Sequence, residues 1–135
     1  MTETVTRIVV ADDDLDILDL VVFKLNQAGH HTVAVSDGMA ALAAIEAEPT
    51  NLAILDIMMP GLSGLEVLRH LRASEAERDQ RVILLTAQAR DSDVDTGFAT
   101  GANDYLIKPF SPRELLHRVN AVLARADRWM PERSS

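Results

Sequence analysis

Four short apolar runs punctuate the chain, and each ends on a polar residue: Ile8-Val9-Val10-Ala11 before Asp12-Asp13-Asp14, Leu52-Ala53-Ile54-Leu55 before Asp56, Val82-Ile83-Leu84-Leu85 before Thr86, and Tyr105-Leu106-Ile107 before Lys108. The runs are brief, rich in β-branched residues and not alternating, the pattern of parallel strands covered on both faces. His31-Thr32-Val33-Ala34-Val35 reads as a further strand, making five. Helical spacing fills the gaps. Leu18, Val21, Val22 and Leu25 follow the i, i+3, i+4, i+7 rule, with Gly29 as a stop. Asp37 is placed to cap a second helix over 38–47 that Pro49 ends, and Leu65, Leu68 and Leu71 mark a third. A fourth, over 91–100, has an apolar face only at Val94, Phe98 and Ala99 and contains the poor helix formers Thr96, Gly97 and Thr100, so it is expected to be the mobile one. The last helix opens on Ser111-Pro112-Arg113-Glu114, a capping box with proline at the first helical position, and continues through Leu115, Leu116, Val119, Val122 and Leu123.

Strand and helix alternate five times, and right-handed crossovers turn that order into a doubly wound α/β sandwich of three layers. Periodicity fades after Ala126, which divides the chain into a folded domain over 1–125 and a tail or linker over 126–135, with Trp129 either docked on the last helix or lying in the tail. At 135 residues there is room for one core. Hydrophobic residues are 47% and charged ones 25% of the chain, a globular composition with an aliphatic core. There is no cysteine, which excludes disulfides and thiolate metal sites. No apolar stretch approaches the roughly 20 residues that cross a bilayer, and the polar start at 1–7 lacks a signal-peptide core. A soluble cytoplasmic protein with no membrane partner is expected. The net charge of −8 repels nucleic acid, so no direct nucleic-acid binding by this chain is expected either.

Carboxylates, a hydroxyl and an amine all stand at strand ends, and in an open parallel sheet those ends share one edge where ligands bind. Asp12 and Asp13 beside Asp56 raise the cost of ionising all three, a cost that a hard divalent cation removes. Oxygen ligands without cysteine or paired histidine suit magnesium or manganese rather than zinc. His30, His31, His70 and His117 are scattered and read as surface or partly buried side chains. Asp56, accessible at a strand end, is the candidate nucleophile for phosphorus, forming an acyl phosphate. The loop from Ile57 to Gly64 carries the turn residues to fold over a metal, with the Met58 backbone carbonyl as a further ligand. Lys108 and the Thr86 hydroxyl would then hold the phosphoryl oxygens. Each residue alone has an ordinary use, as a cap, a strand end or a surface charge. Four strand ends bearing complementary groups point to one pocket.

With these residues in view, the sequence resembles the receiver domain of two-component response regulators, over Ile8 to about Leu123. The resemblance is carried by Val-Ala-Asp-Asp-Asp at 10–14, Leu-Asp-Ile-Met-Met-Pro-Gly-Leu-Ser-Gly at 55–64, Leu-Thr-Ala at 85–87 and Gly-Ala-Asn-Asp-Tyr-Leu-Ile-Lys-Pro-Phe at 101–110. It implies a CheY-like, flavodoxin-like (βα)5 fold with a five-stranded parallel sheet of order 2-1-3-4-5. It further implies Asp56 as phosphoacceptor, a magnesium site of Asp12, Asp13, Asp56 and the Met58 carbonyl, Thr86 and Lys108 on the phosphoryl group, and a cis Lys108–Pro109 bond. The protein would be a signalling switch and not an enzyme in its own right.

Such domains receive phosphate from a phosphohistidine of a sensor histidine kinase, and the first helix offers a docking face. If Leu18, Val22 and Leu25 point inward, Ile17, Leu20 and Phe23 lie on its flanks or outside. Ile17 and Leu20 with Pro109 and Phe110 are the expected contact, core packing of Ile17 being the alternative. Output in the family runs through the fourth helix, fifth strand and fifth helix, with Thr86 and an aromatic residue as switch; Tyr105 holds the aromatic position. Ser-Pro-Arg-Glu-Leu at 111–115 is similar to the OmpR/PhoB subfamily, whose receivers form homodimers on this face and precede a DNA-binding domain. Asp104, Glu114 and Arg118 fit that pattern, whereas Val94 stands where arginine is usual and Asn103 where aspartate is. A free-standing receiver and the receiver fragment of a transcriptional regulator both remain open. Two other classes compete. A magnesium-dependent phosphohydrolase would want a second aspartate where Met58 stands, and a binding-only pseudo-receiver would lack some of the polar groups present.

Overall fold

The computed structural model describes residues 5–87 and 99–133. Nine elements follow in order: β1 (Arg7–Ala11), α1 (Leu15–Gln27), β2 (His31–Val35), α2 (Gly38–Ala47), β3 (Leu52–Asp56), α3 (Gly64–Ala73), β4 (Val82–Thr86), β5 (Asp104–Ile107) and α4 (Pro112–Arg133). The five strands form one parallel sheet in the order β2-β1-β3-β4-β5. The fourth helix expected over 91–100 lies outside the described residues except for Ala99 and Thr100, which are helical.

Alternate residues of each central strand feed opposite layers. Ile8, Val10, Leu52, Ile54, Ile83 and Leu85 pack under Leu18, Val21 and Leu25 of α1 and Leu115, Val119 and Val122 of α4. Val9, Ala11, Ala53, Leu55, Val82 and Leu84 pack against Ala41 and Ile45 of α2 and Val67, Leu68 and Leu71 of α3. That two-sided demand explains why β3 and β4 are buried throughout and read as unbroken apolar runs. Strand β2 departs from the expectation of cover on both faces. It forms one margin of the sheet, so none of its residues is fully buried and His31 and Ala34 are exposed.

Local chemistry sets the helix ends. The Asp14 carboxylate accepts the Asp16 and Ile17 N–H groups at 3.0 and 3.3 Å and starts α1, while Asp37 accepts from Ala40 at 2.8 Å and starts α2. Ser63 and Glu66 make a reciprocal capping box at α3. At α4 the Ser111 hydroxyl accepts the Glu114 N–H at 3.0 Å. The backbone of α4 runs on to Arg133, past the point at which apolar spacing fades. Ala126, Arg128, Met130 and Glu132 are residue types compatible with helix, in a stretch of sequence that lacks the apolar spacing to reveal it.

Candidate functional site

The register of the sheet brings the polar strand ends together. Ala11 pairs with Leu55, Asp56 with Leu85 and Thr86 with Ile107, so Asp12, Asp56, Thr86 and Lys108 leave four neighbouring strands at nearly one level. Backbone bonds from Ile57 N–H to the Leu85 carbonyl (2.9 Å) and from Lys108 N–H to the Thr86 carbonyl (2.7 Å) carry the ladder into the loops. The peptide bond from Lys108 to Pro109 is cis.

Asp12, Asp13 and Asp56 each place a carboxylate oxygen within 4.8 Å of the others. Asp12 and Asp56 are buried and Asp13 is exposed. The Lys108 ammonium reaches across from β5, 2.9 Å from Asp12 Oδ2 and 3.3 Å from Asp56 Oδ2. Asp14, the third acid of the run, turns away to cap α1 and donates its own N–H to Asp12 Oδ1 at 2.9 Å. Thr86 is buried at the end of β4, the strand beside Asp56.

Two buried acids share the Lys108 ammonium beside a third, exposed acid, and the electrostatics show the strain. Burial pushes the Asp56 carboxyl up from its ordinary 3.8 to about 7, the neighbouring Asp12 carboxylate adds to the rise, and Lys108 opposes it. Burial would lower Lys108, but its contacts with Asp12 and Asp56 outweigh this and hold the ammonium above its usual range. Asp12 Oδ2 is buried and has only the ion contact with Lys108, without a well-directed hydrogen bond. A buried carboxylate oxygen short of donors, next to two further carboxylates and, among the described residues, no histidine or cysteine in the cluster, fits a hard divalent cation such as magnesium or manganese.

The loop after β3 is held by close backbone packing. Met58 N–H donates to Asp56 Oδ1 at 3.3 Å, and Gly64 N–H to the Ile57 carbonyl at 3.0 Å. A Cβ on Gly64 would stand 2.9 Å from the Asp56 carbonyl carbon and closer still to its oxygen. Replacing Gly64 with alanine is therefore expected to cost about 2 kcal/mol or more, because backbone and not a flexible side chain must yield. Chemical denaturation checks this, and an unchanged midpoint would show that the loop gives way freely.

The other expected residues divide. Tyr105 is buried in the layer under α2 and α3, and its strand position pairs with Leu84. On the opposite layer Leu20 is 38% exposed and Pro109 is exposed, whereas Ile17 and Phe110 are partly buried against the core, so the docking set is half surface and half packing. Leu15 and Phe23, both more exposed than Leu20, extend the apolar surface of α1. Asp104 and Arg118 are 3.2 Å apart, and Arg118 lies 3.9 Å from Glu114, all within one chain. Val94 lies outside the described residues. Asn103 accepts the Val82 N–H at 2.8 Å and faces Arg72, whose guanidinium also donates to the Gly101 carbonyl; sequence spacing gave no sign of this tie between α3, β4 and β5.

The family model of the response regulator receiver domain matches residues 8–120. The DNA-binding response regulator MtrA of Mycobacterium tuberculosis is 40% identical over 121 residues, 90% of this chain and 52% of its own length. The phosphate regulon transcriptional regulatory protein PhoB of Escherichia coli is 40% identical over 119 residues, 88% of this chain and 52% of its own. A crystal structure of a CheY-like response regulator receiver domain protein from Methanospirillum hungatei superposes with a TM-score of 0.86 at 30% identity, covering 93% of this chain and 98% of that one. The chain belongs to the response regulator receiver domain family. It spans about half the length of the curated relatives it matches. Because those relatives are named as DNA-binding or transcriptional regulators, they lend no support to the expectation that nucleic acid is excluded as a partner. Among the described residues, no helix is long and apolar enough to cross a membrane.

Proposed function

We propose that this chain is a phosphorylation-dependent switch in which Asp56 accepts a phosphoryl group from the phosphohistidine of a sensor kinase. The observation that carries the reading is the convergence of Asp12, Asp13 and Asp56 within 4.8 Å, with Lys108 in contact with two of them. An Asp56 carboxylate oxygen attacks phosphorus, the bond from phosphorus to the imidazole nitrogen breaks, and the imidazole leaves. Lys108 trades part of its contact with Asp56 for the incoming phosphoryl oxygens, and the Thr86 hydroxyl bonds another. Asp12, Asp13, Asp56 and the Met58 carbonyl would hold magnesium or manganese. When bound, the cation neutralises the clustered acids and the phosphoryl oxygens.

Acetyl phosphate with magnesium tests the reading. One covalent phosphoryl group per chain is expected, located on Asp56. Multiple turnovers without an adduct would favour a hydrolase, and neither product would favour a binding-only role.

Leu20 with Pro109, flanked by Ile17 and Phe110, is assigned to the kinase. Leu20→Asp should slow transfer from the kinase about tenfold, the effect of losing roughly 1.4 kcal/mol of contact, and leave labelling by acetyl phosphate unchanged. Equal slowing of both donors would place the defect in the site instead. Output is assigned to Thr86, Tyr105 and the face of β5 and α4 with the segment before β5. A homodimer there would have to form around Asp104, Glu114 and Arg118 while they are paired within the chain. The 40% identity to MtrA and PhoB favours a role as the receiver part of a DNA-binding regulator, with the folded unit at 1–125 and the remainder as linker.

A further inference from the structure

Two of the most exposed apolar side chains flank the phosphoacceptor loop, and both are thioethers. Met58 is 72% exposed and Met39 61%. Met58 follows Asp56 by two residues and donates its N–H to that carboxylate. Met39 lies on the first turn of α2, with its Cγ 3.8 Å from the point where a Cβ on Gly61 would stand, so it borders the same loop from the other side. Between them Met59 is partly buried against the core. Burial offsets the cost of an apolar side chain, yet these two spend theirs in water beside an acidic pocket.

Thioether oxidation follows exposure, and it replaces an apolar group by a polar acceptor. We propose that Met58 is an oxidation site through which peroxide tunes the phosphoryl switch. The inference rests on the function proposed above, since it concerns regulation of the same site. A hydroperoxide transfers one oxygen atom to sulfur: the O–O bond breaks, an S–O bond forms, sulfur is oxidised and hydrogen peroxide leaves as water. Two residues beyond Asp56, the exposed thioether offers water no strong acceptor. The sulfoxide oxygen accepts hydrogen bonds and orders water at the rim, where a water molecule is the reagent that hydrolyses an acyl phosphate. Oxidation should therefore shorten the life of the Asp56 adduct several-fold, and Met39, on α2 and not on the segment that follows the carboxylate, should oxidise without this effect.

Dilute hydrogen peroxide on the purified chain, followed by peptide mass spectrometry, should convert Met58 and Met39 ahead of Met59. Labelling with acetyl phosphate and magnesium then reads the decay. The oxidised chain and the Met39→Leu variant after peroxide should both decay several-fold faster than the untreated protein. Met58→Leu should show the same decay before and after peroxide, and Met58→Gln, which carries a polar acceptor without sulfur, should decay fast with no peroxide. Treatment with methionine sulfoxide reductases should restore the slow decay. Full conversion of Met58 with unchanged decay overturns the inference while leaving the function intact. Oxidation of Met59 first overturns the exposure argument. An untreated chain that takes no label at all overturns the function, and this inference with it.

Discussion

Replacing Asp56 with asparagine is expected to abolish covalent uptake from acetyl phosphate, reducing the adduct from the expected one per chain to none. The substitution keeps the size and shape of the side chain and removes the nucleophilic carboxylate, so the loss is chemical and not steric. Asp12 is not expected to take over. It is buried, its Oδ1 is engaged by the Asp14 N–H, and its Oδ2 is held against Lys108. Asp13 is exposed, on the side of the pocket that Lys108 does not contact among the ion pairs seen. Intact-mass measurement of the variant after labelling, with circular dichroism as the control for folding, decides the matter. Label appearing on Asp12 or Asp13 would mean that the pocket, and not one carboxylate, is the acceptor.

The same residue governs how stability changes with pH. Asp56 has a folded value near 7 against an ordinary 3.8. Well below pH 4 the carboxyl is protonated in both folded and unfolded chains, and its burial carries no charge penalty. As pH rises from 4 to 7 the unfolded chain releases the proton while the folded one retains it, so stability drains away over that window and the loss is complete above pH 7. A shift of this size corresponds to roughly 4 kcal/mol, or on the order of 10 °C in melting temperature. Without metal, Asp56→Asn is thus expected to melt well above the parent at pH 8 and close to it at pH 4. Magnesium should raise the parent at pH 8 by more than it raises the variant, because it relieves the repulsion that the variant has already lost. A difference between the two proteins that does not vary with pH would show that Asp56 ionises normally in its buried setting.

Much of this arrangement is written in local pattern. Strands β1, β2, β3 and β4 stand where brief β-branched runs place them, α2 begins at the Asp37 cap and ends before Pro49, and the polar residue closing each of the four runs reaches the common edge. Apolar period and capping chemistry are properties of a few consecutive residues, which is why they can be read one segment at a time. Features that depend on distant partners could not be. The contact between Lys108 and Asp12 joins residues far apart in sequence, and nothing in either segment states that the ammonium leans toward Asp12 as well as Asp56. The exposure of β2 follows from its place at the margin of the sheet, not from its composition. Asn103 looked like a departure from a subfamily pattern, yet its side chain accepts the first N–H of β4. The start of α3 is also written locally, since Ser63 and Glu66 have the same capping-box spacing as Ser111 and Glu114.

The contact of Gly64 with the Asp56 carbonyl bears on which donors Asp56 could serve in the role proposed for it. The Asp56 peptide group is clamped against the first turn of α3, with no space for even a methyl group. With its backbone fixed there, the carboxylate reaches only as far as its short side chain allows. In the proposed role, a donor would have to bring its phosphorus down to the sheet edge, which would favour compact carriers and phosphohistidines that project from a convex surface over those set in a cleft.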